Sequence, residues 1–270
     1  MNIKILKDMW SYEETNLKAS IEMWDSMASE FSHFDMPTEE NSSLMKLITE
    51  KGLINGDSTV LDVGCGAGKF SFALAEKCRH VIGLDLSPKM IEKAIEKKEE
   101  MGINNVDFYV NNWHEFDLAN SDYEGKFNLV IANMTPAVRS AETFLKVHES
   151  SKGHCVLSKS IKRVDPVSDG IREMLQLGEK KESSHKDILY AFEILWLLGV
   201  MPQLSYEPQI WNKKMSIDDS YKLYVNRMKS YRELTDEDDK KIREYLQSIS
   251  KDGFIEEKVS TMIATMYWEV

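Results

Sequence analysis

The segment Val60-Leu61-Asp62-Val63-Gly64-Cys65-Gly66-Ala67-Gly68-Lys69-Phe70 constrains this chain more than any other. An apolar run, three glycines in five residues and the start of a helical pattern read as a buried strand that turns into a helix. Free backbone N–H groups at such a helix start hold an anion or a polar ligand at close range. The glycine spacing narrows the choice of ligand. A Walker phosphate loop needs a glycine five residues before a Gly-Lys-Ser/Thr triplet, whereas Lys69 precedes Phe70 and position 63 is valine. The dinucleotide fingerprint Gly-x-Gly-x-x-Gly is one residue longer than Gly64-x-Gly66-x-Gly68.

Around this turn, strand and helix patterns alternate, as in an α/β domain with a parallel sheet. Strands are expected at Thr59–Val63, His80–Leu84 (ending at Asp85), Val106–Val110, Phe127–Ala132 and His154–Ser158. A helix is expected from about Gly68 to Lys77. A second follows a Ser87 cap and Pro88, with Ile91, Ala94 and Ile95 facing inward, and ends near Gly102. A third runs from Pro136 to about Ser150. Ahead of the core, Leu17, Ile21, Trp24, Ala28 and Phe31 recur at helical spacing. The plainest use of that stripe is to pack Trp24 and Phe31 on the core. Leu44, Leu47 and Ile48 mark a further helix, stopped at Lys51-Gly52. In the second half a helix is expected over Ser184–Val200, with Ile188, Ala191, Phe192, Leu195 and Trp196 on one broad apolar face. A strand-like stretch follows at Pro202–Trp211. Two capped helices come next, one opened by Ser216 with Asp219 and one by Thr235, before a final strand at Val259–Tyr267. The apolar run Ile194 to Met201 is expected to be a core segment.

With Asp62 ahead of the glycines and Asp85 ending the next strand, the segment resembles motif I of class I S-adenosylmethionine-dependent methyltransferases, small-molecule type. The likeness covers about residues 20 to 160 and, with two late strands, most of the chain. It implies an α/β, Rossmann-like fold. The sheet would be mostly parallel and seven-stranded, with helices on both faces and an antiparallel last strand. The chain would form one domain, residues 1–270: an N-terminal helical lid (1–52), a cofactor-binding core (53–160), and a substrate-capping helical insertion with the terminal strands (161–270). The likeness implies S-adenosyl-L-methionine as cofactor, S-adenosyl-L-homocysteine as product, and methyl transfer to a small-molecule acceptor.

Residue by residue, Gly64, Cys65, Gly66 and Gly68 match the turn that wraps the methionine part, and Asp62 the acid that orients its amino group. Asp85 matches the carboxylate that accepts both ribose hydroxyls, a task that needs two acceptor oxygens. Leu86 and Met90 match apolar contacts to adenine and ribose. Asn112 stands where an aspartate usually accepts the adenine amino group, and Trp113 follows with a backbone N–H for the ring. Asn133-Met134-Thr135-Pro136 lies where the family faces the reactive methyl. It departs from the Asn/Asp-Pro-Pro-Tyr/Phe of enzymes that methylate planar amino nitrogens. Trp24-x-x-x-Ala28-x-x-Phe31 resembles the lid that precedes the core in many small-molecule methyltransferases.

In-line transfer from a sulfonium asks for positioning more than for acid or base chemistry. No catalytic residue is assigned: His33, His114, Tyr190, Tyr206, Tyr224 and Tyr231 each fit structural roles. Competing functions are a nicotinamide-dependent oxidoreductase, a non-catalytic cofactor-binding module, and a methyltransferase of macromolecules. The net charge of −11 works against a nucleic-acid partner. Cys65, Cys78 and Cys155 show neither disulfide nor metal spacing, so no metal and a cytoplasmic setting are expected. No stretch approaches the roughly 20 apolar residues of a membrane span.

Overall fold

A computed structural model of the chain describes residues 2–12, 17–178, 184–229 and 231–270; the side chains of residues 19, 184 and 185 also lie outside the description. Positions 1 and 13–16 of the expected lid, and 179–183 and 230 of the expected insertion, therefore carry no statement.

Seven strands form one sheet in the order β3-β2-β1-β4-β5-β7-β6. They are β1 (Thr59–Val63), β2 (His80–Asp85), β3 (Val106–Val110), β4 (Phe127–Asn133), β5 (Ser151–Val164), β6 (Gln203–Ser216) and β7 (Phe254–Glu269). The first five pair in parallel, with Val63 beside Leu84, Asp85 beside Val110 and Asp62 beside Ile131. The last two run antiparallel. Ser158 meets Thr265 and Ser160 meets Thr261, hydroxyl to hydroxyl, at 3.0 and 2.6 Å, so numbers fall along β7 as they rise along β5. Tyr267 with Gln203, and Lys214 with Glu256 at 2.7 Å, give β6 the same sense against β7.

The helices are α1 (Ile3–Met9), α2 (Leu17–Ser32), α3 (Ser43–Glu50), α4 (Lys69–Ala75), α5 (Pro88–Met101), α6 (Ala141–Glu149), α7 (Pro166–Met174), α8 (Ser184–Leu197), α9 (Ile217–Lys229) and α10 (Asp236–Ile249). The chain moves outward from β1 to β3 and then back across β1 to β4 and β5. Right-handed crossovers therefore place α4 and α5 on one face and α6 on the other. This reversal between β1 and β4 is the switch point at whose carboxyl edge open α/β sheets bind ligands. On the first face Leu44, Met45, Ile48, Phe72, Leu74, Ile91 and Ala94 close over Val60, Val81, Val106, Leu129 and Ile131. The alternate residues Leu61, Val63 and Val130 are equally buried, as two covered faces require.

By contacts the chain divides into two units, Met1–Lys159 with Lys186–Ser205 and Ala264–Val270, and Ser160–His185 with Tyr206–Ile263. The second has its own core, in which Val167 and Ile171 of α7 meet Tyr224 and Met228 of α9, Ile242 and Leu246 of α10, and Ile255 of β7.

The expected strands β1 to β4 sit within a residue of their observed bounds. The late ones are longer: β5 extends from His154–Ser158 to Ser151–Val164, and β7 from Val259–Tyr267 to Phe254–Glu269. α1 and α7 were not foreseen. The first is a seven-residue helix capped by Asn2, too short to show a period, and the second is announced only by Pro166 at its first turn. α6 starts at Ala141 rather than after Pro136, because Ser140 and Thr143 form a capping box there. Ser140→Ala should cost about 1 kcal/mol of stability, read as a lower urea midpoint with unchanged slope.

Three burial expectations are corrected. Ile95 is 41% exposed, and Phe31, at 45%, covers Trp24 edge-on rather than entering the core. In the run Ile194 to Met201 only Ile194 and Leu195 are buried, whereas Trp196, Leu197, Leu198 and Met201 face solvent. Consecutive residues turn by about 100° around a helix, so an unbroken apolar run cannot put every member on one face.

Candidate functional site

The glycine turn is held by its neighbours before any ligand is considered. Gly64 and Cys65 both donate their backbone N–H to Leu84 O, at 2.7 and 3.0 Å, which ties the turn to the end of β2. Gly64 has φ +72°, and a Cβ there would lie 1.9 Å from Thr135 Oγ1 in the loop after β4. A Cβ on Gly68 would strike the rings of Phe72 and Phe108 at 2.7 and 2.8 Å. Two of the glycines are thus required by packing.

Gly66 differs. Among the described residues a Cβ there would meet nothing nearer than Met90 Sδ at 4.0 Å, so the turn is open at its middle glycine. Its N–H donates to Asp85 Oδ2 at 2.8 Å, and Ser87 N–H donates to Asp85 Oδ1 at 2.9 Å. A carboxylate has about four lone-pair sites. Asp85 therefore holds the turn and the start of α5 and keeps acceptor capacity in reserve. Burial raises its pKa, against the lowering effect of those N–H groups.

Asp62 is 3% exposed and accepts the Ser71 hydroxyl at 2.6 Å. Burial, with the negative charge of Asp85 adding to it, pushes its carboxyl up to about 7. Between roughly pH 4 and 7 the folded protein keeps a proton that the unfolded chain releases. Stability should therefore fall with rising pH across that window, by up to about 1.4 kcal/mol per unit, and level off above it. Urea midpoints from pH 5 to 8 test this, and Asp62→Asn should flatten the slope.

Met90, 2% exposed, packs with Ala28 and Ala67, and Trp24, Met27 and Phe34 close around them. α2 is fastened there by a residue that the sequence did not single out. Asp25 Oδ1 accepts the Ser87 hydroxyl at 2.5 Å and Lys89 N–H at 3.2 Å, at the first turn of α5. Its only signal was its place beside Trp24 in the lid segment.

Contacts therefore gather Trp24, Gly64, Cys65, Gly66, Gly68, Asp85 and Met90, with Asp62 at the base. Leu86 is half-buried beside Asp85. Asn112, Trp113 and Asn133 reach the same edge through strand pairing rather than by touching the turn. Asn112 Oδ1 accepts His114 N–H at 3.2 Å, forming a local turn. The neighbouring Asn111 Oδ1 is a buried acceptor without a partner among the described residues, while Asn111 N–H donates to Asp85 O at 2.8 Å. The Trp113 side chain is core, its indole N–H donating to Thr143 O at 3.0 Å. Asn133 ends β4 half-buried, followed by Met134 at φ +55°. No described helix is long and apolar enough to cross a membrane.

Known proteins resemble this chain in sequence and in fold. A family model described as "Methyltransferase domain" matches residues 54–213. The ribosomal protein L11 methyltransferase of Clostridium botulinum is 30% identical over 174 residues, which is 63% of this chain and 51% of that protein. An RNA methyltransferase, alr3654, of Nostoc sp. is 35% identical over 77 residues, 28% of this chain and 17% of that one. The chain thus spans about half or less of the length of these curated relatives. A type II methyltransferase candidate from Anaeromyxobacter dehalogenans superposes with a TM-score of 0.52 at 15% identity, over 88% of this chain and 98% of that one, a likeness of fold. The family match runs from the residues before β1 into β6 and takes in the whole glycine turn, and with it the chain belongs to the class I S-adenosylmethionine-dependent methyltransferase family.

Proposed function

We propose that the Gly64–Gly68 turn holds S-adenosylmethionine and that the chain transfers its methyl group to a small-molecule acceptor. The observation that carries this reading is the open space over Gly66 beside the spare acceptor capacity of Asp85. When bound, the cofactor supplies a sulfonium methyl that is already electrophilic. The residues are left with binding, orientation and exclusion of water. Asp85 would accept the ribose hydroxyls, Asp62 would face the amino group, and Asn112, with Asn111 beside it, would accept from adenine. Trp24, Leu86 and Met90 supply apolar walls, Trp113 its backbone N–H, and Asn133 stands at the acceptor side.

With the acceptor held in line with that methyl, no acid or base of the chain would be required, and any proton the acceptor loses would pass to solvent. Asp62 must be ionised to face a cationic amino group. Affinity for S-adenosylhomocysteine should therefore rise about tenfold per pH unit below about pH 7 and flatten above it, by calorimetry.

The small acceptor is supported by α2, which Asp25 fastens at the start of α5 and which packs around Met90 close to the turn. One relative's name points instead to a protein acceptor. Incubation with methyl-labelled cofactor and either a metabolite library or cell protein and RNA separates the two. Label is expected on a small molecule, and label confined to protein or RNA would replace that acceptor.

A further inference from the structure

At the same carboxyl edge lies a guanidinium that has no counter-ion among the described residues. Arg139 lies in the loop after β4, six residues past Asn133, and its backbone is fixed because its N–H donates to Thr143 Oγ1 at 3.1 Å inside the α6 capping box. Its side chain is half-buried. Among the described residues the guanidinium touches Tyr12: Nη1 donates to the phenol oxygen at 3.3 Å, and the cation lies 5.3 Å from the ring centre. Among the described residues no carboxylate stands within ion-pair distance of it. Arginine carries five N–H donors in a planar fork, so most of them are unspent here. A cation partly withdrawn from water gains most from an anion that takes two of those donors together.

The surroundings hold the group in place. Ala141 N–H donates to Trp10 O at 2.8 Å, and the Trp10 ring packs on Phe144 at 5.6 Å, so the segment that carries Tyr12 is pinned at the start of α6. On its other side Tyr12 packs against the His114 ring at 5.0 Å. Lys146 anchors that residue by donating to His114 O at 3.0 Å. The three side chains come from three places that flank the proposed cofactor site. His114 is two residues past Asn112, Arg139 follows Asn133, and Tyr12 precedes the helix that carries Trp24.

We infer that Arg139, with Tyr12 and His114 beside it, is the recognition subsite for an anionic group on the methyl acceptor, which is therefore a small molecule bearing a carboxylate or a phosphate. This rests on the methyl-transfer reading above. The experiment is thermal melting at constant ionic strength, with and without saturating S-adenosylhomocysteine, in the presence of benzoate, inorganic phosphate or the neutral benzamide.

The wild-type protein should gain about 2–4 °C with benzoate or phosphate, the shift given by a ligand several-fold above its dissociation constant. Benzamide should give none, and whichever anion acts distinguishes carboxylate from phosphate. Arg139→Gln should abolish the gain and Arg139→Lys keep part of it, with the affinity for S-adenosylhomocysteine within twofold of wild type in both. Tyr12→Phe, which keeps the ring and removes the phenol, should weaken the gain without abolishing it.

An equal gain with benzamide, an undiminished gain in Arg139→Gln, or no gain with either anion would overturn the subsite. An Arg139-dependent gain in a protein that gives no heat with S-adenosylhomocysteine would instead overturn the cofactor reading and leave an anion site standing.

Discussion

Gly64→Ala should destabilise the protein by roughly 2–5 kcal/mol, the sum of a strained backbone and an overpacked contact. Position 64 has φ +72°, where an L side chain is strained, and the new methyl would fall 1.9 Å from Thr135 Oγ1. Thr135 cannot step aside freely. Its hydroxyl accepts Ala137 N–H at 3.1 Å, and its carbonyl accepts the buried Lys159 ammonium at 2.9 Å. Denaturant unfolding should show the loss. A double variant with Thr135→Gly, which removes the struck atoms, should recover part of it. Gly66→Ala makes the control: at φ +56° it shares the backbone strain, but its Cβ meets no described atom nearer than 4.0 Å, so it should cost clearly less stability.

Asp85→Ala should weaken S-adenosylhomocysteine binding by on the order of 1–3 kcal/mol, about 5- to 150-fold. Two effects act together. The variant removes the acceptor for the ribose hydroxyls, and it frees Gly66 N–H and Ser87 N–H, whose bonds to Asp85 shape the turn and the start of α5. Asp85→Asn keeps acceptor oxygen but turns an N–H donor toward one of those N–H groups, so it should fall between wild type and alanine. Calorimetry at pH 8, above the titration of Asp62, isolates the effect. Unchanged affinity in Asp85→Ala would place the ribose elsewhere.

Much of this site was legible because it is local in sequence. The strand, the glycines and the acidic residues on either side of the turn lie within 26 residues, Val60 to Asp85. Glycine has few reasons to recur so closely other than positive φ or close approach. What separates Gly66 from its neighbours was not legible. Only the fold brings Thr135 against Gly64 and the Phe72 and Phe108 rings against Gly68, leaving Gly66 open.

Asp25 and Arg139 were missed for the same reason, since the partners that give them meaning are 62 and 127 residues away. Asn112 lies in the loop after β3, as expected, and beside it the Asn111 Oδ1 is buried and without a partner among the described residues, which the sequence did not reveal. The late strands were underestimated because their outer halves alternate polar and buried residues. In β7 the pairs Glu256-Glu257 and Lys258-Val259 hide a regular exposed and buried pattern.

The most direct test is a calorimetric titration of S-adenosylhomocysteine into the wild-type protein at pH 8, with NAD in a parallel cell. One saturable site per chain for S-adenosylhomocysteine and no heat from NAD is the predicted result. No heat from S-adenosylhomocysteine, or its displacement by NAD, would contradict the assignment of the glycine turn.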